Sequence, residues 1–511
     1  MNGSLSYYPA GSSHQIRAGF DHWWGRNQNI GGFHEAGGYQ LIFDTIGGVP
    51  YTPVEIQVRN FPYDGRAGIN TLGLYVTDTW RPIDRLTLNL GLRGEAQNAF
   101  VPEQVKVQGP FGGSGSFSRV DAGSWKTLAP RVGVAFDLFG SGSTVLKGTV
   151  GKYYLHTGAF SDFAQAYNQN FAEWIHYRWH DLNGDKDYQP GEVNLDTNGP
   201  DYLRHAQGAP SNIVNPDLKL KSQTEVTVSL EQDVGSGLSM RGVYVYKHLP
   251  EGSQTDFATI NTLRPYSVWN QAFTRRDPGP DGVVNTADDG GLITVYDYDP
   301  VLRGAAFVKN MRVANDRTDT FNNYEISLNK RKSGKWFAMT SLVATKNHRW
   351  LSPVVQSPND ELFPLDETWD LAYRLAAGYD LPFEMTVSTL VQVYNGFALQ
   401  RTNQFRAVGP DGGPRFPSSS VIELRMEPYG ARRAPVRNVV NVRLSKSLRL
   451  ASGGAFVFDV DLTNLLNGNA AWGSPTSGSG NGQIERSGPT FGYVTRIQQP
   501  RAVRLGVSFS F

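Results

Sequence analysis

The chain has 511 residues, and its 48 Lys and Arg against 47 Asp and Glu give a formal net charge of +1. Because the acidic and basic residues are nearly equal in number, there is no reason to expect a nucleic-acid partner, which needs a concentrated basic surface. Cysteine is absent, which excludes disulfides, thiolate metal sites and cysteine nucleophiles. No apolar stretch approaches the roughly 18 residues that a membrane-spanning helix needs. The 56 glycines and the 12% of aromatic residues favour strands and turns.

Segments in which apolar and polar residues alternate recur along the chain. This period of two places each apolar set on one face of a strand. In chain order the clearest segments are 86–93, 132–138, 226–230, 371–379, 436–448, 456–462 and 503–511. Many extend to about eleven residues, the length that crosses a bilayer at a tilt, whereas strands of soluble sandwiches average about five or six.

The connections between these segments alternate between short and long. Short turns are predicted at 81–84, 140–143, 235–237, 332–334, 381–382 and 451–453. Long polar loops are predicted near 96–126, 156–221, 249–322, 347–369, 395–435 and 465–500. Tight periplasmic turns and long extracellular loops are typical of outer-membrane barrels. We therefore predict an all-β fold, a transmembrane antiparallel β-barrel domain over 1–511 with about 16 strands that begin near 14–24.

The C-terminal segment is the most specific of these signals. Its apolar residues are Val503, Leu505, Val507, Phe509 and Phe511, so the chain ends on a phenylalanine. Outer-membrane barrels end in this way, and the barrel-assembly machinery recognises their last strand. The alternative is the edge strand of a soluble protein, but a long apolar edge would be an aggregation hazard.

Several segments resemble those of TonB-dependent outer-membrane transporters. Segment 74–93, with the sequence LYVTDTWRPIDRLTLNLGLR, is similar to a strand–turn–strand unit of that family, and so is 136–154. Segment 215–225, NPDLKLKSQTE, resembles the start of a family strand, and 323–331 and 458–467 fit as well. In this order, across nearly the whole chain, the segments are similar to the Oar-like barrels.

The resemblance implies a receptor that imports, or in this subgroup exports, a bulky solute through a lumen gated by a plug domain. It also implies a full barrel of about 22 strands, of which this chain corresponds to the C-terminal part. No signal peptide, TonB box or plug is evident near the first strand-like segment. The expected partners are outer-membrane lipid and the barrel-assembly machinery, with the TonB complex only if a missing N-terminal part supplies a plug. No enzymatic activity is expected.

Three other functions remain open. The chain can be an adhesion or structural barrel that faces the exterior with calcium-stiffened loops. It can be a passive porin of about 16 strands, which requires pairing between the strand near 14–24 and the last strand. A soluble calcium-dependent lectin or enzyme is the remaining possibility. A solute pocket among the loops would favour transport, and a flat loop surface would favour adhesion.

One long loop contains a candidate calcium site. Positions 1, 3, 5, 7, 9 and 12 of an EF-hand-type loop correspond to Asp181, Asn183, Asp185, Asp187, Gln189 and Glu192. Calcium prefers six to eight oxygen ligands, and Asp187 would supply a backbone carbonyl. Lys186 stands where such loops usually have glycine, which weakens the match. The alternative is a solvated polar turn.

A second acidic loop is a weaker candidate for calcium. Its carboxylates are Asp277, Asp281, Asp288 and Asp289, separated by glycine and proline. A flexible polar turn explains this pattern at least as well.

Two aromatic groups complete the predictions. His176 and His180 would share one face of a helix and suit zinc, but segment 173–180 is rich in aromatic residues. We expect a surface aromatic cluster there, in which Trp174, Tyr177 and Trp179 offer flat faces to a solute.

A membrane-interface girdle is predicted for Trp23, Trp24, Trp80, Trp336 and Trp350.

Overall fold

The computed structural model describes residues 1–31, 37–46, 49–156, 162–207, 212–252, 257–313, 316–406, 413–451, 453–473, 484–494 and 496–511. Within these ranges sixteen strands form one large sheet, and all but the two-residue strand Leu365–Asp366 succeed one another along a single path. The fifteen strands of this barrel wall are β1 Asn2–Tyr7, β2 His14–Gly31, β3 Tyr63–Ile83, β4 Leu86–Val101, β5 Val120–Asp137, β6 Thr144–Tyr154, β7 Ser222–Gly235, β8 Leu238–Leu249, β9 Asp319–Ser333, β10 Trp336–Trp350, β11 Trp369–Leu381, β12 Met385–Tyr394, β13 Arg437–Arg449, β14 Ala455–Thr463 and β15 Ala502–Ser510.

The prediction of an all-β antiparallel barrel is confirmed, and the wall strands pair in chain order. One detail of the prediction is wrong. Segment 14–24 is not the start of the sheet, because it belongs to the 18-residue strand β2, which pairs with β1 on one side and β3 on the other. The six residues of β1 are mostly small and polar, so their alternation is too weak to stand out in the sequence.

Tight turns connect alternate pairs of wall strands. The turn between β7 and β8 is an example, since Gly235, Ser236 and Gly237 have φ values of 89°, 52° and 72°. Glycine adopts this left-handed conformation without the steric cost that a side chain adds. The intervening connections are long, so all of them emerge at one end of the wall.

The alternation of side chains gives the wall two unlike faces. On the outer face large apolar residues are exposed, such as Leu74 (58%), Leu342 (52%) and Leu505 (76%). An outward apolar band is what a lipid bilayer requires of a barrel. Val503, Val507, Phe509 and Phe511 of the C-terminal segment are exposed there too. The recognition of this segment by the assembly machinery remains a prediction.

The inner face carries ion pairs that run from strand to strand. Arg93 on β4 donates to Asp21 on β2, with N–O distances of 2.6 and 3.0 Å, and to Glu95 at 3.0 Å. Lys147 on β6 similarly contacts Glu231 on β7 at 2.7 Å. Charged groups are therefore concentrated on the face that points away from lipid, as in other outer-membrane barrels.

The girdle prediction assigned one tryptophan to the wrong face. Trp23 is on the inner face, where its ring meets His156 edge-on at 4.8 Å. By the strand alternation Trp24, Trp80, Trp336 and Trp350 are on the outer face, and Trp336 and Trp350 are the first and last residues of β10. Trp23 and Trp24 are neighbours in one strand, so they point to opposite faces, because side chains alternate with a period of two.

The long connections fold into a structured assembly, here called the cap. Its strands are Tyr39–Ile46, Val49–Arg59, Gln104–Lys106, Gly115–Phe117, Trp174–Arg178, Tyr202–Gln207, Ala258–Asn261, Gln271–Arg276, Leu292–Asp297, Asn310–Val313, Leu365–Asp366, Ala398–Arg406, Val421–Arg425, Arg432–Arg433, Ala471–Gly473, Ile484–Arg486 and Arg496–Ile497. Its short helices are Asp162–Gln165 (α), Tyr266–Val268, Pro300–Leu302, Ala305–Phe307 and Pro358–Glu361 (all 3₁₀). None of the helices in the described part of the chain is long and apolar enough to cross a membrane.

The cap packs against the inner face of the wall. Ala67 on β3 and Ala99 on β4 belong to the inner-facing set of their strands, and they form one buried cluster with Tyr167, Leu218 and Phe257 of the connections. Burying apolar surface against the upper inner wall holds these connections inward. The upper inner face of β3 and β4 is therefore covered by folded chain.

Candidate functional site

Two distant connections form a single sheet in the cap. The strand Trp174–Arg178 pairs with Val49–Arg59 on one side and with Tyr202–Gln207 on the other. Ile56 (0% exposed) and Val58 (4%) lie in its buried cluster. Backbone pairing across the two connections fixes the positions of the side chains at the rim of this sheet.

The aromatic segment 173–180 builds the interior of this sheet. Tyr177 and Trp179 are only 2% and 3% exposed, so the expectation that they offer free faces to a solute is wrong. Their role is to fill the apolar core that the cap needs, and Arg59 stacks on the ring of Trp174 at 4.8 Å.

The two histidines of this segment do not share a site. The segment is a strand and not a helix, and each imidazole faces a different carboxylate. His176 contacts Glu55 at 2.9 Å and Gln57 at 2.8 Å, whereas His180 contacts Asp201 at 2.8 Å. Burial alone would raise the pKa of Glu55, but its hydrogen bonds from His176 and Arg204 outweigh burial and lower it.

A buried ion pair locks another part of the cap. Both oxygens of Asp277 accept hydrogen bonds from Arg401, at 2.8 and 2.6 Å. Arg401 also donates to the carbonyl of Gly279 and to the hydroxyl of Ser487. The two side chains are 9% and 10% exposed, so the guanidinium is almost fully satisfied inside the protein.

A cavity of about 720 Å³ opens among three of the connections. It has the size of a small-molecule site. Its aromatic lining is Phe171, Tyr202 and Tyr298, and its arginines are Arg204, Arg264, Arg303 and Arg312. Its amide side chains are Gln165, Asn212, Asn261 and Asn310, and within the described part of the chain no aspartate or glutamate lines it.

The arginines of the cavity are engaged to different degrees. Arg204 is neutralised by Glu55 at 3.0 Å. Among the described residues Arg264 donates to the carbonyls of Leu302 and Gly304 and to no carboxylate. Among the described residues no hydrogen bond or ion pair engages the Arg303 side chain. The cavity is therefore electropositive, and Arg264 and Arg303 also lie near Tyr298, whose pKa burial raises.

Two buried polar atoms at the cavity lack partners in the described structure. They are Nε2 of Gln165, a residue only 2% exposed, and Oδ1 of Asn212. The other amide atoms of both residues are used: Gln165 Oε1 accepts from Asn168 at 2.8 Å, and Asn212 Nδ2 donates to the Ala166 carbonyl at 2.5 Å. Both atoms have almost no solvent-accessible surface, so they are unsatisfied groups within the cavity wall.

The candidate calcium loop forms a compact turn. Asp181 accepts from the amides of Gly184 and Lys186 at 2.8 and 3.0 Å, and Lys186 has a φ of 63°. Lys186 thus adopts the left-handed conformation for which such loops use glycine. The side chains of Asn183, Asp185 and Gln189 are hydrogen-bonded to one another.

Glu192 closes the turn from its other end. It accepts hydrogen bonds from the amides of Leu182 and Gln189 and from the Trp179 indole. The hydrogen bond from the Gln189 amide is the main cause that lowers the pKa of Glu192. Among the described residues no three His, Asp or Glu side chains form a metal-holding group. A site completed by amide and backbone oxygens remains a prediction for this loop.

The second acidic loop is built differently. Asp277 is occupied by Arg401, and Asp281 caps the amide of Val283 at 2.8 Å. Asp288 accepts from Thr286 at 2.7 Å, which together with further contacts lowers its pKa, and Asp289 accepts from the Asn285 amide. Each of the four carboxylates accepts hydrogen bonds from the protein, and Thr286 donates to both Asp288 and Asp289. Calcium binding by this loop remains a weaker prediction.

Sequence reasoning missed the residues of the cavity. Gln165 comes from one connection and Arg264 and Arg303 from another, and none stands in a recognisable motif. The two connections meet through a bridge between Ile213 and Met311 and a hydrogen bond from Asn215 to the Arg312 carbonyl.

The family model described as outer membrane beta barrel domain matches residues 11–359, which is more than half of the chain. The chain therefore belongs to the family of outer-membrane β-barrel domains, and its location is the outer membrane. No curated protein matches its sequence.

Solved structures with a similar fold are outer-membrane receptors and transporters. The ferric-catecholate import receptor Fiu of E. coli K12 is 11% identical with a TM-score of 0.45, over 99% of this chain and 53% of that one. The ferric yersiniabactin uptake receptor FyuA of Yersinia pestis is 9% identical with a TM-score of 0.46, over 99% and 52%. The FrpB iron transporter of Neisseria meningitidis is 10% identical with a TM-score of 0.46, over 99% and 54%. The chain spans about half the length of each.

Proposed function

We propose that the chain is the barrel of a TonB-dependent outer-membrane receptor that moves a bulky solute across the outer membrane. In this proposal a plug domain and the remaining strands of a barrel of about 22 strands come from outside the 511 residues. The TonB complex drives the plug, and the barrel carries out no bond chemistry. The long connections of the cap are then extracellular.

The cavity in the cap is the observation that carries this proposal. A recess of about 720 Å³ lined by convergent arginines and amides suits capture of a solute. A flat, purely apolar or uniformly charged loop surface would suit adhesion instead. The inward packing of Tyr167, Leu218 and Phe257 supports the same choice, because it holds the connections that carry the cavity against the upper inner wall.

A passive porin is less well supported by the strand pairing. The sequence predicted this closure at segment 14–24, but β2 has both edges occupied, by β1 and β3. Closure would have to join β1 to the last strand, and among the described residues β1 pairs only with β2. The last strand, β15, pairs with β14.

The test compares the solutes in spent medium of three strains of the organism that carries the gene. They are the wild type, a strain lacking this gene and a strain lacking TonB. We expect at least one solute to change in both mutants in the same direction, with retention in the medium indicating import and loss indicating export. An adhesion barrel would alter surface attachment and leave the solute profile unchanged. A passive porin would give a change that deletion of TonB does not reproduce, and either result would overturn the proposal.

A further inference from the structure

The outer face of the wall has an apolar groove at the end opposite the cap. Its volume is about 430 Å³. Trp336, Tyr379 and Val387 lie directly opposite one another on β10, β11 and β12 and form one side of it. Ala377 and Thr389 belong to the next outer row, and their small side chains leave the space open. No charged side chain lines the groove in the described structure, so it suits a hydrocarbon chain.

The hairpin turn beside this groove is strongly basic. Residues 330–335, at the junction of β9 and β10, include four basic residues and no acidic one. The turn leads directly into Trp336, the first residue of β10 and part of the groove. Tryptophan and tyrosine mark the depth at which lipid headgroups meet acyl chains. The basic turn is therefore at headgroup level.

Two of the four basic side chains are already engaged within the protein. Lys330 is 7% exposed, and its ammonium donates to the Arg331 carbonyl at 2.9 Å. The same ammonium lies over the Trp336 ring, 5.1 Å from its centre. Lys332 pairs with Asp380 at 2.7 Å. Lys330 thus stabilises the turn, and the charge of Lys332 is neutralised.

The side chains of Arg331 and Lys335 carry the remaining charge of the turn. Both residues are exposed, and within the described part of the chain neither side chain has an ion pair or a hydrogen bond. Glu384 on the neighbouring turn is 3.4 Å from Arg449, so it has a partner of its own. Two unpaired cations thus lie next to an apolar groove. This combination matches the phosphate and the acyl chain of an anionic lipid.

We propose that the groove and the turn 330–335 bind one anionic glycerophospholipid. An acyl chain lies between the row of Trp336 and the row of Ala377, and the phosphate contacts Arg331 and Lys335. Lipid is the occupant because the groove belongs to the face that the bilayer covers. Binding does not rest on the proposed function. Only the side of the membrane does, since an extracellular cap places this lipid in the periplasmic leaflet.

The experiment measures lipid binding to the purified full chain in a non-ionic detergent by native mass spectrometry. The chain is titrated with phosphatidylglycerol and with phosphatidylcholine of the same acyl chains, whose headgroup has no net charge. Each basic residue near an anionic lipid contributes about fivefold in affinity. We therefore expect phosphatidylglycerol to bind at least about fivefold more tightly. Equal affinity for the two lipids would overturn the proposal.

Substitutions in the turn test the headgroup contacts. Arg331→Gln and Lys335→Gln should each weaken phosphatidylglycerol binding by about fivefold and leave phosphatidylcholine binding unchanged. Arg81→Gln is the matched control, because Arg81 is an exposed arginine near the turn between β3 and β4, at the same end of the wall. It should leave both affinities unchanged. An equal loss in Arg81→Gln and Lys335→Gln would assign the effect to net charge and contradict the site.

A substitution in the groove tests the acyl-chain contact. Ala377→Leu keeps the outer face apolar but fills the groove, and displacement of about two methylene groups should weaken both lipids by about tenfold. Ala18→Leu is its control, since Ala18 pairs with the exposed Leu5 and Val76 on the outer face of another part of the wall. It should bind like the unmodified chain. Unchanged lipid affinity in Ala377→Leu would overturn the assignment of the groove.

A soluble phosphate separates a lipid site from a simple anion site. Glycerol 1-phosphate carries the phosphate without acyl chains, so at a concentration equal to that of phosphatidylglycerol it should displace none of the lipid. Displacement under these conditions would show that the phosphate alone determines binding, and would overturn the lipid assignment.

Discussion

The wall exposes large apolar side chains, whereas the cap buries them. In the wall, Leu74 and Leu505 are 58% and 76% exposed, whereas Ile56 and Val295 in the cap are fully buried. The difference reflects two solvents. Lipid contacts the apolar side chains on the outer face of the wall, whereas the cap lies in water and must bury its apolar side chains by folding on itself. One chain thus combines a lipid-facing wall with a water-facing cap, joined at the strand ends.

Charged pairs show the same division. Lys147 and Glu231 in the wall are 44% and 36% exposed at 2.7 Å, whereas Arg401 and Asp277 in the cap are 9% and 10% exposed at 2.6 Å. Exposed pairs contribute little because water screens them, while the loss of one partner from a buried pair leaves an unpaired charge. Similar distances therefore correspond to different energies.

The largest predicted effect comes from the buried pair of the cap. Arg401→Met should destabilise the cap by about 3–5 kcal/mol, because Asp277 would stay buried without its partner. The cap should become sensitive to trypsin, while the heat-modifiable gel mobility of the wall stays normal, since regions of one protein can open separately.

The control is an exposed pair at the start of wall strand β5, at the end of the wall that adjoins the cap. Arg119 and Asp121 are 2.7 Å apart and 49% and 66% exposed. Asp121→Asn should change the free energy of cap opening, as measured from the proteolysis rate, by less than about 1 kcal/mol. Equal effects of the two variants would show that burial does not distinguish the pairs.

A second prediction separates the two faces of the wall. Leu342 and Val343 are neighbours near the middle of β10, and only Leu342 belongs to the outer set. Leu342→Lys should cost about 2–4 kcal/mol of unfolding free energy in lipid vesicles, as charges do on the lipid face near the bilayer centre. Urea titration measures it.

Val343→Lys is the control for that variant. Val343 pairs directly with Glu325 on β9, so a lysine there meets a carboxylate on the inner face. It should remain within about 1 kcal/mol of the unmodified chain. A larger cost for Val343→Lys than for Leu342→Lys would reverse the assignment of the faces.

The sequence revealed the wall far better than the cap. Alternation such as Leu86, Leu88, Leu90 and Leu92 is local, so it identifies a strand and its faces without knowledge of its partners. Arg401 and Asp277 are 124 residues apart, and no local pattern predicts their contact. Similarly, Tyr177 and Trp179 resembled a surface cluster because nothing nearby in sequence indicates the strand Val49–Arg59 that covers them.

A third prediction concerns calcium in the loop 181–192. If its oxygens bind the ion, cleavage within the loop should slow in proportion to 1 + [Ca²⁺]/Kd, about tenfold when calcium exceeds Kd about tenfold. Asp185→Asn removes a charged ligand and should abolish the slowing. Limited proteolysis with calcium or a chelator measures both rates.

Asp196→Asn provides the control for the calcium variant. Asp196 accepts the amide of Asn198 at 2.9 Å, much as Asp185 accepts the amide of Asp187 at 2.9 Å. It lies outside the twelve-residue loop, so its calcium response should equal that of the unmodified chain. Loss of the response in both variants would point to general charge screening.

The smallest predicted effect is the acid response of Glu192. Its hydrogen bonds, first that from the Gln189 amide, hold its pKa below the ordinary value of 4.5. A lowered pKa in the folded state means that the carboxylate stabilises the folded cap above pH 4.5, and that this stabilisation is lost as the pH falls through the lowered pKa. Cap proteolysis by an acid protease should therefore accelerate below pH 4.5, while the gel mobility of the wall stays constant.

Glu192→Gln tests whether this carboxylate causes the acid response. The glutamine side chain no longer titrates, and its single oxygen can accept either from Leu182 or from Gln189 and Trp179, which donate to different oxygens of Glu192. The variant should be cleaved faster than the unmodified chain at neutral pH, because a neutral acceptor forms weaker hydrogen bonds than a charged one. Its cleavage rate should depend less on pH. An unchanged acid response in Glu192→Gln would assign the response to other carboxylates of the cap, of which Asp201, paired with His180 at 2.8 Å, is the next to test.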